Sequence, residues 1–295
     1  MSEAHSIPTR REPGAPSPDL PSIGSGVAFD AAEVLDKEST WVRRQRMVVG
    51  AVSMAVLLAV WELIARFAIG DPAILPAPSM VFSVTFQHIT QPYPAQSSTL
   101  PGHTLYSIVR ILVGFIAGSI VGIAIGTVMS ASKWVRYAID PMIELMRPLP
   151  PLAFIPLLVV WFGIEELPKM VLIFIGVVPI MIIATLAGLD GVPKQLMDAA
   201  TSLGASQRYA LVHVKIRAAL VPIVTGMRVA VGVSWTSIVA AEMIAADHGI
   251  GYVILEAGNY LDTALVFSAI IIIGIVGLLM DQALRLILKK LDPTR

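Results

Sequence analysis

Six long apolar runs, separated by short polar connections, constrain this chain more than any other feature. They cover about residues 47–69, 104–129, 139–164, 169–189, 219–246 and 264–288. Most exceed the roughly 20 residues a helix needs to cross the hydrocarbon of a bilayer. Within hydrocarbon every backbone N–H and C=O must be satisfied inside the segment, and for runs of this length the helix does that. The predicted fold class is all-α: a polytopic membrane helix bundle with six transmembrane helices. Composition agrees, with 56% hydrophobic and only 14% charged residues, against roughly 25% charged in a soluble domain. This excludes an ordinary soluble enzyme, a nucleic-acid binder and a disordered chain, and leaves membrane lipid as the expected surround. Lys+Arg and Asp+Glu both number 21, so net charge points to no partner. With no cysteine, disulfide scaffolds, thiolate metal sites and thiol nucleophiles are excluded.

Residues 1–40 are set apart. Pro8, Pro13, Pro16, Pro18 and Pro21 sit among Gly, Ser and charges with no period, which predicts a disordered tail. Residues 41–295 then form the transmembrane domain. The first apolar run begins only near Met47, so it reads as a retained anchor rather than a secretory signal. In the third run, Pro148, Pro150, Pro151 and Pro156 cannot continue a simple helix, and a broken span packed against protein is expected. Lys and Arg alternate from loop to loop. Arg43, Arg44 and Arg46 precede the first run, Lys133 and Arg136 follow the second, and Lys194, Arg208, Lys215 and Arg217 follow the fourth. Loops 70–103 and 247–263 have none. By the positive-inside bias both termini are cytoplasmic. In loop 70–103 the stretch Ser79 to Ile89 reads as a short surface helix.

Gly114, Gly118, Gly122 and Gly126 recur every four residues in the second run. On a helix they form one stripe that admits a neighbouring backbone closely, either as static packing or as a moving seam. The last cytoplasmic loop, about 190–218, is organised. Pro193 suits the first position of a helix, and Leu196, Ala199, Ala200 and Leu203 follow at helical spacing. Gly204 can end that helix in a left-handed conformation, and Ser206 can cap a second one running from Gln207 toward Lys215. Two short helices with a small-residue face, flanked by Lys194, Asp198 and Arg208, either dock on another protein or fold back on the bundle. Charges inside the runs are costly and suggest function by default. Arg66 and Arg110 lie near the outer ends of their runs and can snorkel. Glu62 can meet Arg66, and Asp281 can meet Arg285, at helical spacing. Arg228 and Glu242 lie deeper and are candidates for a pathway or gate, or for a structural hydrogen bond within the bundle. No phosphate-binding Gly-x-x-x-x-Gly-Lys-Ser/Thr loop, metal site or nucleophile motif occurs, so no catalytic residue and no metal ligand is assigned.

Asp198-Ala199-Ala200, three residues, Gly204, nine residues, Val214-Lys215-Ile216 resembles the "EAA" loop of binding-protein-dependent ABC importer permeases. Asp198 stands for the family's Glu. Arg217 stands for its closing Pro, which leaves the second short helix free to run on toward the fifth span. Further stretches resemble the taurine, alkanesulfonate and nitrate branch, with taurine permeases nearest. They include Asp140-Pro141-Met142-Ile143-Glu144, Arg147-Pro148-Leu149-Pro150-Pro151-Leu152-Ala153, Trp161-Phe162-Gly163 and Gly226-Met227-Arg228.

The resemblance implies a type I ABC importer permease fold with Asp198, Ala199, Ala200, Leu203, Gly204 and Arg208 in the ATPase-coupling loop. It implies two permease copies, separate ABC ATPase subunits that bind ATP and Mg, and an extracytoplasmic solute-binding protein. The chain itself would hold no cofactor, and the setting is a bacterial inner membrane. The implied cargo is a small anion, taurine or another alkanesulfonate, with nitrate or bicarbonate as alternative. An ion-coupled secondary transporter using Glu62, Glu242 and Asp281 is the rival from another class, although no repeat between the halves supports it.

Overall fold

The computed structural model describes residues 25–95 and 97–291, with side chains left undescribed for 25–41 and 43. All regular structure among these residues is helical. The described residues divide into two units, one ending at Ala59 and the other beginning at Val60. The helix α1 spans Ser25–Leu63, so it begins inside the stretch read as a tail, while the remainder of that stretch, residues 1–24, lies outside the described residues. From Arg44 to Ala59 its side chains are exposed.

In the second unit, the π-helical turn Ile64–Ile69 ends at Gly70, whose φ is +71°. Helix α2 (Pro78–Thr90) follows, with Pro in its first turn. Helix α3 (Leu100–Ala131) starts at Thr99, whose side chain accepts from the Gly102 N–H. Ser132 alone separates it from α4 (Lys133–Met146). A 3₁₀ turn, Pro151–Phe154, leads into α5 (Ile155–Phe162). Then come α6 (Glu166–Asp190), α7 (Lys194–Ser202), α8 (Gln207–Ala210), α9 (Ile216–Ala245), α10 (Ile250–Asn259) and α11 (Thr263–Leu291).

Five stretches are long and apolar enough to span a membrane: Arg44–Ile69, Leu100–Ala131, Glu166–Asp190, Gln207–Ala245 and Thr263–Leu291. The sixth is the bent pair Lys133–Met146 and Pro151–Phe162, which turns by 89°. This is the broken third span expected from its prolines. Each proline removes a backbone donor and crowds the preceding turn, so the helix stops and restarts. Pro78–Thr90 is the surface helix expected near Ser79. Pro179 and Pro222 sit inside α6 and α9.

Helix α6 is the centre of the unit. Ile173, Val177 and Met181 are fully buried, in a core shared with Ile111 and Phe115 of α3 and Ile223, Val231 and Ile238 of α9. The glycine stripe of α3 lies against one side of α6. A Cβ placed at Gly114, Gly118, Gly122 or Gly126 would fall 2.7, 2.9, 2.5 or 2.8 Å from the Cβ of Ile173, Val177, Met181 or Thr185 respectively. Four glycines face four residues at the same spacing of four, so the two backbones run in contact along the whole seam. On the other side of α6, Gly188 meets Pro222 and Gly226 meets Ala184. Outward, Phe67, Phe82, Trp134 and Val160 are largely exposed.

Candidate functional site

Helix α6 ends at Asp190, and Pro193 stands just before α7, one residue earlier than the expected first helical position. After α7 the backbone turns through Gly204 at φ +85°, a conformation that glycine adopts without the Cβ penalty. There the Ala205 N–H donates to the Ala200 carbonyl at 3.0 Å and the Gly204 N–H to the Thr201 carbonyl at 2.9 Å, closing the helix end. The Ser206 hydroxyl accepts from the Tyr209 N–H at 3.3 Å and starts α8. From Gln207 the chain is helical through a π-helical turn, Leu211–Lys215, and on to Ala245. The second short helix therefore merges with the fifth span, as Arg217 in place of proline permits.

No residue of α7 is buried. Asp198, Ala199 and Arg208 are exposed, Ala200 is half-buried and Leu203 is 89% exposed. Both roots of the loop are tied down. Asp190 accepts from Arg136 at 2.7 Å and lies 3.4 Å from the Ser130 hydroxyl. Lys215 donates to Ser130 at 2.8 Å. Arg136 also lies 3.4 Å from Asp140. The loop is thus a small body with an open apolar side, held at entry and exit by the ends of α3 and α4.

The opposite end of the bundle is built differently. Arg110 of α3 is 2% exposed. Its guanidinium grips both oxygens of Glu166, at 2.5 and 2.6 Å, and donates to Glu242 at 2.8 Å and to the His248 carbonyl at 2.6 Å. The snorkelling expected of Arg110 is therefore corrected. Two carboxylates from the start of α6 and the end of α9 converge on it, and a doubly paired guanidinium stays inside. Glu242 is fully buried. It also accepts from Ser107, at 2.8 and 2.9 Å, and from the Gly251 N–H at 2.9 Å.

These bonds seat the start of α10, a helix inside the stretch 247–263 that reads in sequence as a loop. The Ile250 N–H donates to the Ser107 hydroxyl at 2.9 Å and the Gly249 N–H to His103 Nδ1 at 3.1 Å. His103 Nε2 lies 2.8 Å from the Tyr93 carbonyl, so the ring is neutral, with its proton on Nε2. Beside it, the His248 hydrogen bond holds the Asp247 carboxyl below its usual range. His103, Ser107 and Glu166 were not singled out in the sequence. The first two share a face of α3 with Arg110 at spacings of four and three, which is the signal that points to them.

Arg228, the other pathway candidate, donates to Asp281 of α11 at 2.5 and 3.1 Å. Asp281 also accepts from Arg285 at 2.8 Å. The expected Asp281–Arg285 pair is present, and the structure adds Arg228 to it. Arg66 pairs with Glu62 at 2.5 Å. Glu62 in turn accepts from the Ser79 N–H at 3.1 Å and so caps the first turn of α2.

Against known proteins, residues 104–293 match the family model described as the binding-protein-dependent transport system inner membrane component. The chain belongs to this family. It is 38% identical over 253 residues to the taurine transport system permease protein TauC of Escherichia coli, covering 86% of this chain and 92% of that protein. It is 34% identical to the nitrate import permease protein NrtB of Synechocystis, covering 79% of this chain and 84% of that one. A solved structure of the MetNI methionine ABC transporter, in inward facing conformations, superposes with a TM-score of 0.57 at 17% identity. It covers 65% of this chain and 94% of that chain, a likeness of fold. The permease is the membrane subunit of an ABC importer of the taurine, sulfonate and nitrate branch, not an enzyme, and ATP hydrolysis belongs to a separate subunit. The ion-coupled alternative falls away with the family.

Proposed function

We propose that the permease imports a small anionic solute, taurine or another alkanesulfonate, and works as a pair of identical copies with both termini cytoplasmic. The observation that carries the mechanism is the α7–α8 element: an exposed apolar face on two short capped helices, rooted at Asp190 and Lys215. Such a face suits the groove of an ATPase subunit. Because the roots bond to Arg136 and Ser130, a push on the loop reaches α3, α4, α6 and α9 together. Two global states then interconvert, and ATP in the partner subunits and the loaded binding protein outside each favour one of them. The likeness to the taurine permease supports the cargo, and the likeness to the nitrate permease supports nitrate as the second reading.

The test is ATP hydrolysis by the complex reconstituted from permease, neighbouring ATPase and binding protein. Binding protein loaded with taurine is expected to stimulate it. Stimulation only by nitrate-loaded binding protein would move the cargo to the second reading, and failure to assemble with any ATPase would remove the docking role of α7–α8.

A further inference from the structure

A groove runs along one face of α6. At the Asp190 end it opens as a cavity of about 300 Å³ whose wall includes Arg136, Asp140, Glu144 and Asp190. A second cavity, of about 260 Å³, adjoins it, walled by Pro151 and Phe154 of the elbow, Gly176 and Pro179 of α6, and Val233 of α9. Arg147 and Ile183 line both. The second cavity touches α6 between Ile175 and Ile183, the middle of a 25-residue span, so it lies near mid-depth.

Charge changes sharply along this groove. Three carboxylates stand in the wall of the first cavity, whereas Arg147 is the single titratable residue lining the second. Arg66, Arg110, Arg136, Arg228 and Arg285 each have a carboxylate within 3.4 Å. Among the described residues Arg147 has none within ion-pair distance; Arg208 and Arg217 also have none, but they lie in α8 and at the start of α9 and line neither cavity. A guanidinium at this depth is costly without a counter-charge. The prolines after it stop α4 there and leave it on the wall shared by both cavities.

We propose that Arg147 reads the charge of the cargo: the mid-span cavity receives a small oxyanion in transit, and the Arg147 guanidinium is its counter-charge. The planar fork of arginine matches two oxygens of a sulfonate or nitrate group. The rest of the wall is apolar and prolyl, so it suits a short aliphatic stem. The volume falls just below the roughly 300–1,000 Å³ of pockets for drug-sized ligands, as a small solute requires. The cargo class rests on the function proposed above; the location and the role of Arg147 rest on the groove.

The chain has no cysteine, so Ile183→Cys puts a single thiol on the wall of both cavities. The variant, assembled with its ATPase and binding protein, is treated with two thiosulfonate reagents. One carries an ethylsulfonate anion, the other an ethyltrimethylammonium cation. Each labelling rate is read by mass on the permease and divided by that reagent's rate with a free thiol. The anion is expected to label about tenfold faster than the cation, the low end of what charge focusing in a cleft achieves. Adding Arg147→Gln should abolish that advantage, and Arg147→Lys should keep part of it. Equal normalised rates, an advantage that survives Arg147→Gln, or a thiol that neither reagent reaches would each overturn the proposal. Uptake separates it from the cargo reading. An Arg147-dependent anion preference without uptake of taurine or nitrate keeps the groove and sinks the cargo; normal taurine uptake by Arg147→Gln does the reverse.

Discussion

The two ends of the bundle hold their charges in opposite ways. At one, Arg110, Glu166, Glu242, Ser107 and His103 meet in a mostly buried network, with Arg110 bonded to three partners and Glu242 to three donors. At the other, Asp190, Arg136, Ser130 and Lys215 are joined by single bonds between partly exposed groups. A buried charge that loses its partner keeps its desolvation cost, whereas an exposed one regains water. The first end is therefore fixed and the second is free to shift, as the proposed docking of α7–α8 on an ATPase subunit requires. Substitutions at the two ends should differ accordingly in stability.

The largest effect is expected at the buried end. Glu242→Ala leaves the Gly251 N–H without its acceptor, the Ser107 hydroxyl with only the His103 carbonyl at 3.3 Å, and Arg110 with one carboxylate instead of two. Breaking a buried pair in this way costs about 3–5 kcal/mol. Thermal unfolding of the purified permease in detergent should show it as a markedly lowered midpoint. An unchanged midpoint would mean the network is not what fixes this end.

Next comes the seam that joins the two ends. Gly122→Ala would place a Cβ 2.5 Å from the Met181 Cβ and 2.9 Å from the Val178 carbonyl. Backbone cannot yield as a flexible side chain does, so α3 and α6 must separate, at about 1–3 kcal/mol. Gly50, with nothing near it, is the control: Gly50→Ala should leave stability level or slightly raised. A seam that tolerates Gly122→Ala as readily would show that α3 and α6 are not held in register by the stripe.

How much of this was legible beforehand follows from the range of each signal. Hydropathy and proline placement are local, and they located the spans, the elbow after Arg147 and the surface helix at Pro78–Thr90. Cap chemistry is local too, and Gly204 and Ser206 marked the joint between α7 and α8. The pairing of Arg110 with Glu242 spans 132 positions, and nothing periodic announces it. Position along a span made Arg110 look able to reach water, because the carboxylates that hold it inside come from other helices. Helix α10 escaped for a related reason. It is ten residues long, too short to cross a membrane, and its start is fixed by side chains of α3 and α9 rather than by a cap of its own.

Smaller effects on stability, with larger ones on coupling, belong to the loop end. Gly204→Pro forces φ from +85° to about −65° and removes the N–H that closes α7. The bundle should still insert with its spans intact, since no residue of α7 is buried. Stimulation of ATP hydrolysis by loaded binding protein should be lost along with uptake. Normal coupled uptake would refute the role of α7–α8.

The mildest change sharpens the comparison most. Asp190→Asn keeps the shape of the side chain and removes the charge that Arg136 meets at 2.7 Å. The pair is partly exposed, so the cost to folding should be no more than about 1 kcal/mol, and Arg136 retains Asp140. If the root transmits movement, uptake per ATP hydrolysed should still fall, by up to about fivefold for a weakening of that size. A matched substitution at the other end, Glu166→Gln, weakens an Arg110 pair that does not touch the loop. It should lower the unfolding midpoint more and the coupling ratio less. Two measurements on two variants then test whether firmness and transmission are divided between the ends, and an equal drop in coupling from both would show that the whole bundle moves as one body.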